Sequence, residues 1–121
     1  LNAVNYIHDN SVVHQDLTMK NILIKLQFQN SESELTDQSE FSLKLCDFGL
    51  SKWTTTKIAT SQCGTPNYMS PEMLTTRFTT PKSDIWAFGV ILYVLVYKTF
   101  PFDFVTFLSG PKAIAFHKLS F

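Results

Sequence analysis

Cysteine is scarce in this chain, and so is any bias of charge. Cys46 and Cys63 are its two cysteines and form no close metal-ligand pair. Two thiols in an unstapled chain do not build a small secreted scaffold, so the chain reads as a protein of a reducing compartment, cytoplasmic or nuclear. The formal net charge is zero and no Lys/Arg cluster occurs, so nothing supplies the electrostatic footprint of a nucleic-acid or membrane-surface binder. The one long apolar run, Ile85 to Tyr97, is shorter than the ~18 to 20 residues of a membrane-spanning helix. A buried soluble helix is the better account. The chain opens on Leu1 rather than Met and lacks the cationic segment and apolar core of a secretory signal. It therefore reads as a fragment. With 45% hydrophobic residues in 121 positions, it can build the core of one small domain at most.

Leu1, Val4 and Ile7 recur at helical spacing, and Asp9-Asn10-Ser11 is turn-forming, so the start predicts the last turns of a helix. Val12 and Val13 favour an extended segment. Ile22 to Leu26 is a short apolar run, and Phe41, Leu43 and Leu45 alternate with polar neighbours; the two are predicted to pair as strands. Residues 29–40 between them are polar and acidic with almost nothing to bury, the composition of a mobile hairpin insertion. From Gly49 to Tyr68 the chain is rich in Thr, Ser and Gly without sustained periodicity, as in a long functional loop. Ser83-Asp84 then offers a helix N-cap signal before a run apolar on all sides, which predicts a helix over about 83–97 buried all round.

The residues that carry chemistry occur in a fixed order. His14-Gln15-Asp16-Leu17-Thr18-Met19-Lys20-Asn21 precedes Asp47-Phe48-Gly49; Ser70-Pro71-Glu72 and Asp84-Ile85-Trp86-Ala87-Phe88-Gly89 follow. Taken singly, each has an ordinary reading. Asp16 and Asn21 are common loop residues, Asp-Phe-Gly is a plausible turn after a strand, and Trp86 and Phe88 are core. As an ordered set, they resemble the C-terminal lobe of a eukaryotic-type protein kinase of the serine/threonine class.

That resemblance implies an α+β fold: the mainly helical C-terminal lobe with a small antiparallel hairpin, incomplete at both ends. It implies a partial kinase domain over 1–121, with catalytic loop 14–21, activation segment 47–72 and a pillar helix over about 83–97. In such a site little covalent work falls to the protein; it orients the nucleophile and neutralises charge on the transferring phosphoryl group of ATP. The resemblance makes Asp16 the catalytic residue, hydrogen-bonded to the incoming hydroxyl and taking its proton late. Asn21 and Asp47 become the ligands of Mg²⁺, a cation suited by hard oxygen donors. Leu23 forms part of the floor under adenine, and Thr65, in Gly64-Thr65-Pro66, bonds Asp16 and seats the acceptor hydroxyl. His14 packs beneath Phe48 and bonds backbone, so it is not a general base. Glu72 normally pairs with a distant Arg, and Asp84 ties the pillar helix to the catalytic-loop backbone.

Several positions depart from the family pattern. Thr18 stands where a Lys usually contacts the γ-phosphate, and Lys20 lies two positions on. Loss of one such stabiliser costs ~3 kcal/mol, about a hundredfold in rate. Gln15 replaces an Arg that pairs with a phosphorylated activation segment, although Thr54, Thr55, Thr56, Thr60 and Ser61 offer hydroxyls. No Gly-rich phosphate loop and no strand Lys occur, the Arg partner of Glu72 is absent, and Phe104 to Phe121 is apolar and irregular. The expected function is ATP-dependent phosphorylation of protein Ser/Thr hydroxyls, with protein substrate and ATP as partners and neither nucleic acid nor membrane. The alternatives are a pseudokinase-like binding module and a truncated product without function.

Overall fold

The helical, turn and strand signals order the chain as follows in a computed structural model that describes residues 1–27, 40–53, 58–59 and 64–102. Helix α1 (Asn2–Asp9) ends in the expected turn and leads into strand β1 (Val12–Val13). The loop from His14 closes in a 3-10 turn, Met19–Asn21, and strands β2 (Ile22–Gln27) and β3 (Glu40–Leu45) follow. Strands β4 (Lys52–Trp53) and β5 (Ile58–Ala59), helix α2 (Pro71–Thr76), strand β6 (Phe78–Thr79) and helix α3 (Pro81–Tyr97) complete the described elements. Three two-stranded antiparallel sheets result, pairing β1 with β4, β2 with β3, and β5 with β6. Most of the polar stretch 29–40 and of the loop following Trp53 lies outside the described residues, as does the apolar tail from 103 onward.

The predicted hairpin forms with Ile22 opposite Leu45, Ile24 opposite Leu43 and Leu26 opposite Phe41. Directly opposed residues share a face, so these six make one apolar stripe. Its inner end, Ile22 and Leu45, packs against a buried cluster of Val4, Leu17, Ala87 and Ile91; its outer end is exposed. Truncating Leu17, 2% exposed, to Ala would cost about 3 kcal/mol through lost burial and the cavity left behind. β1–β4 and β5–β6 were not anticipated, because two-residue ladders are too short to carry an alternating pattern.

Helix α3 differs from expectation twice. It starts at Pro81 rather than Ser83, because Thr80 is the capping residue. Thr80 Oγ1 accepts from the Lys82 N–H at 3.2 Å, and Ser83 Oγ accepts from the Thr80 N–H at 3.2 Å. Pro81 at the first helical position is pre-set for the turn. Nor is the helix buried all round. Ser83, Asp84, Ala87, Val90 and Ile91 are buried, spaced to lie along one face, while Ile85, Leu92, Leu95 and Val96 are exposed. The helix closes at Lys98, whose N–H and Nζ reach the carbonyls of Val94 and Leu95 at 2.9 and 2.8 Å.

Candidate active site

The loop carrying Asp16 is built around a buried carboxylate on another element. Asp84, in the first turns of α3 and 1% exposed, accepts the Gln15 N–H on Oδ1 at 3.0 Å and the His14 N–H on Oδ2 at 2.8 Å. His8 of α1 reaches the same Oδ2 through Nε2 at 2.9 Å. These bonds hold Gln15 at φ 68°, a left-handed conformation that costs a non-glycine residue about 1 kcal/mol or more. The expected tie between this helix and the loop is thus present.

His14 is fully buried and both its ring nitrogens are engaged. Nδ1 lies 3.4 Å from the Asp16 N–H, and Nε2 lies 3.1 Å from the Cys46 carbonyl oxygen. Since a carbonyl accepts only, the Nε2–H tautomer satisfies both contacts. The ring sits 4.9 Å from that of Phe48. With no free lone pair and no solvent access, it is a strut between the two motifs, not a base. The Cys46 N–H in turn bonds the Asn21 carbonyl at 2.9 Å, so the residue before Asp47 is tied to both ends of the loop.

Asp16 is fastened by its neighbours. Oδ1 accepts from the Thr65 backbone N–H at 2.9 Å and from Thr65 Oγ1 at 3.0 Å. Asn21 Nδ2 donates to the Asp16 carbonyl at 2.8 Å and to Oδ2 at 3.3 Å. Gly64 permits this approach at φ 118°, where a Cβ would stand 3.2 Å from the Gln15 carbonyl and from Met69 Cε. With Asn21 Nδ2 spent on Asp16, its Oδ1 keeps no hydrogen bond among the described residues. Asp47 is exposed at φ 60°, and its Oδ1 accepts the Gly49 N–H at 3.3 Å. A carboxylate and an amide oxygen form a hard donor set that fits Mg²⁺, which completes its shell with waters and phosphate oxygens rather than an all-protein cage. No cluster of three or more acidic, His or Cys side chains occurs among the described residues.

Thr18 is 3% exposed and Lys20 is exposed on the 3-10 turn. The Gln15 amide is buried, with neither Nε2 nor Oε1 hydrogen-bonded, an arrangement that costs about 1 to 3 kcal/mol. Leu23 is half-exposed on β2 opposite Lys44. Glu72, lacking an Arg, accepts from Ser83 Oγ at 3.0 Å. Sequence reasoning passed over His8, since a single His on a short helix carries no pattern of its own, and it read Ser83 as a cap rather than as the partner of Glu72. No helix among the described residues is long and apolar enough to cross a membrane.

Comparison with known proteins gives a consistent picture. A family model of the protein kinase domain matches residues 1–109. The chain is 35% identical over 110 residues to the DNA damage response protein kinase DUN1 of Saccharomyces cerevisiae, covering 85% of this chain and 21% of that protein. It is 41% identical over 105 residues to human NUAK family SNF1-like kinase 1, covering 85% of this chain and 14% of that protein. With the serine/threonine-protein kinase PRR1 of Saccharomyces cerevisiae, identity is 40% over 107 residues, covering 84% of this chain and 20% of that protein. The chain thus spans about a fifth or less of these relatives.

Proposed function

The chain belongs to the protein kinase domain family, and on that premise we propose that it carries the proton-handling and metal-holding half of a serine/threonine protein kinase. Its elements correspond to the C-terminal lobe. The observation that carries the reading is Asp16, whose carboxylate is aimed by Thr65 and Asn21 at 2.9 to 3.3 Å while half-exposed. A carboxylate so held can accept the hydrogen bond of a serine or threonine hydroxyl and take its proton as the new O–P bond forms and the bond from the γ-phosphorus to the β,γ-bridging oxygen breaks, releasing ADP. Thr65 seats the acceptor beside it. Asn21 Oδ1 and the Asp47 carboxylate would hold Mg²⁺, which when bound with ATP would neutralise charge on the phosphates. Leu23 contributes an apolar surface to the floor under adenine. The protein acts on protein substrates in the cytoplasm or nucleus.

One observation favours a second reading, a pseudokinase-like binding module: Thr18 places a buried hydroxyl where the family usually places an ammonium group. The test is a complete kinase domain containing this chain, incubated with radiolabelled ATP, Mg²⁺ and peptides bearing Ser, Thr or Tyr acceptors. Label on Ser and Thr that disappears in Asp16→Ala supports the enzyme. Label on Tyr, or none at all, overturns it.

A further inference from the structure

We propose that the cavity beneath the catalytic loop is a binding site for one water molecule, held there by the side-chain amide of Gln15. The cavity measures about 10 Å³, and Gln15, Leu17, Thr65, Met69, Met73 and Ala87 are among the residues that line it. It lies where the loop, the segment that starts at Gly64 and helices α2 and α3 meet. That meeting is close: a Cβ on Gly64 would stand 3.2 Å from the Gln15 carbonyl and from Met69 Cε. Gln15 is 5% exposed, and neither Nε2 nor Oε1 has a hydrogen-bond partner among the described residues.

An amide brings two N–H donors and two lone pairs into the interior, and each of its atoms calls for a partner there. The size of the cavity selects what that partner is. One water needs about 10 to 15 Å³, so a single water fits, while a phosphate or a hydrated cation does not. That water can close a ring with the amide, accepting from Nε2 and donating to Oε1, so one molecule serves both atoms. Its second proton needs an acceptor, and Thr65 Oγ1 offers one: it donates to Asp16 Oδ1 at 3.0 Å and keeps its own lone pairs. Three polar partners are typical of a buried water. Ser83 and Asp84 also line the cavity, but Ser83 Oγ is already engaged with Thr80 and Glu72, and both Asp84 oxygens with the amides of His14 and Gln15. The Gln15 amide is therefore the group whose capacity is unmet. Leu17, Met69, Met73 and Ala87 make the remaining wall apolar, so without that amide the space would stay dry.

The experiment is a pair of high-resolution crystal structures, of a complete kinase domain containing this chain and of its Gln15→Met variant, with thermal unfolding of both. Met keeps the length of Gln and is likewise unbranched at Cβ, so the left-handed φ of 68° strains both alike. Wild type should show one ordered water within about 3.2 Å of Gln15 Nε2, Gln15 Oε1 and Thr65 Oγ1, and the variant should show none. Because the water meets the needs of the amide, removing the two together should leave the unfolding midpoint at or below that of wild type. Deleting two unpartnered buried atoms would instead raise it by about 3 °C or more. An empty cavity or an amide turned to solvent in wild type, a water that persists in Gln15→Met, or a rise of that size would overturn the proposal. None of these readouts requires phosphotransfer, so failure of the kinase reading would leave the result intact.

Discussion

Two carboxylates of the proposed site are held in opposite ways. Asp16 and its backbone are fastened by three residues from different parts of the chain: His14 beneath, Asn21 along the loop, and Thr65 from a segment 49 residues away. Asp47 is exposed, and among the described residues its carboxylate is fastened by the Gly49 N–H of its own turn. The contrast assigns different sources of order to the two halves of one reaction. The proposed proton acceptor is preorganised by contacts from several elements, while the proposed metal ligand is held, among the described residues, by its own turn.

The largest expected effect tests the second half of that contrast. The 121-residue chain alone should show no measurable phosphotransfer, because its sequence contains neither a Gly-rich loop nor a strand Lys to clamp ATP against Asp47. A radiometric assay showing ATP-dependent labelling of a generic protein, abolished by Asp47→Ala, would contradict it.

Next comes the fastening of Asp16. In a complete kinase domain, Asp84→Ala strands two buried N–H groups, each at about 1 to 3 kcal/mol. It should lower kcat about a hundredfold while changing the KM for ATP by less than about threefold. A fall in kcat of under about threefold, in a variant shown to be folded by its thermal transition, would mean that Thr65 and Asn21 suffice without the anchor.

Smaller, and opposite in sign, is Thr18→Lys. Restoring a cation near the γ-phosphate should raise kcat about tenfold in the complete domain. The native side chain is buried, so the longer one must lead its ammonium outward along the loop surface. Unchanged turnover would show that Lys20 already fills the role.

The smallest effect concerns the segment between the two halves. Alanine at Thr54, Thr55, Thr56, Thr60 and Ser61 together should leave turnover on a peptide within about threefold of wild type, because Gln15 cannot offer a phosphate the bidentate, charged contact of an Arg. Gln15 is also sealed at 5% exposure, beyond the reach of a surface phosphate. Collapse to background, reversed by acidic residues at the same positions, would reveal a phosphorylation switch served by another cation.

Much of this was legible from residue order. The β2–β3 pairing followed from apolar alternation, and the Thr65 to Asp16 and Asp84 to loop contacts followed from the family resemblance. What escaped was non-periodic or non-local. The two-residue strands leave no pattern, and the start of α3 turned on a Thr80–Ser83 exchange that competes with a plausible cap at Ser83. The one-sided burial of α3 could not be read from a uniformly apolar run, since composition states what a helix could bury and not what stands beside it. His8 meets Asp84 across 76 residues, a distance at which no local rule operates.

Those separations also bear on the order in which the molecule comes together. The bonds that aim the loop join residues 69, 70 and 76 apart, whereas α3 and the β2–β3 hairpin each close over short stretches of chain. Bringing such distant groups together costs ~4 kcal/mol of loop-closure entropy before any contact repays it. The aim of the loop should therefore be lost more readily than the hairpin or α3, which faster amide exchange at His14 and Gln15 than within α3 would show. Circular dichroism, which reads the helices and the hairpin, therefore does not by itself report whether Asp16 is aimed.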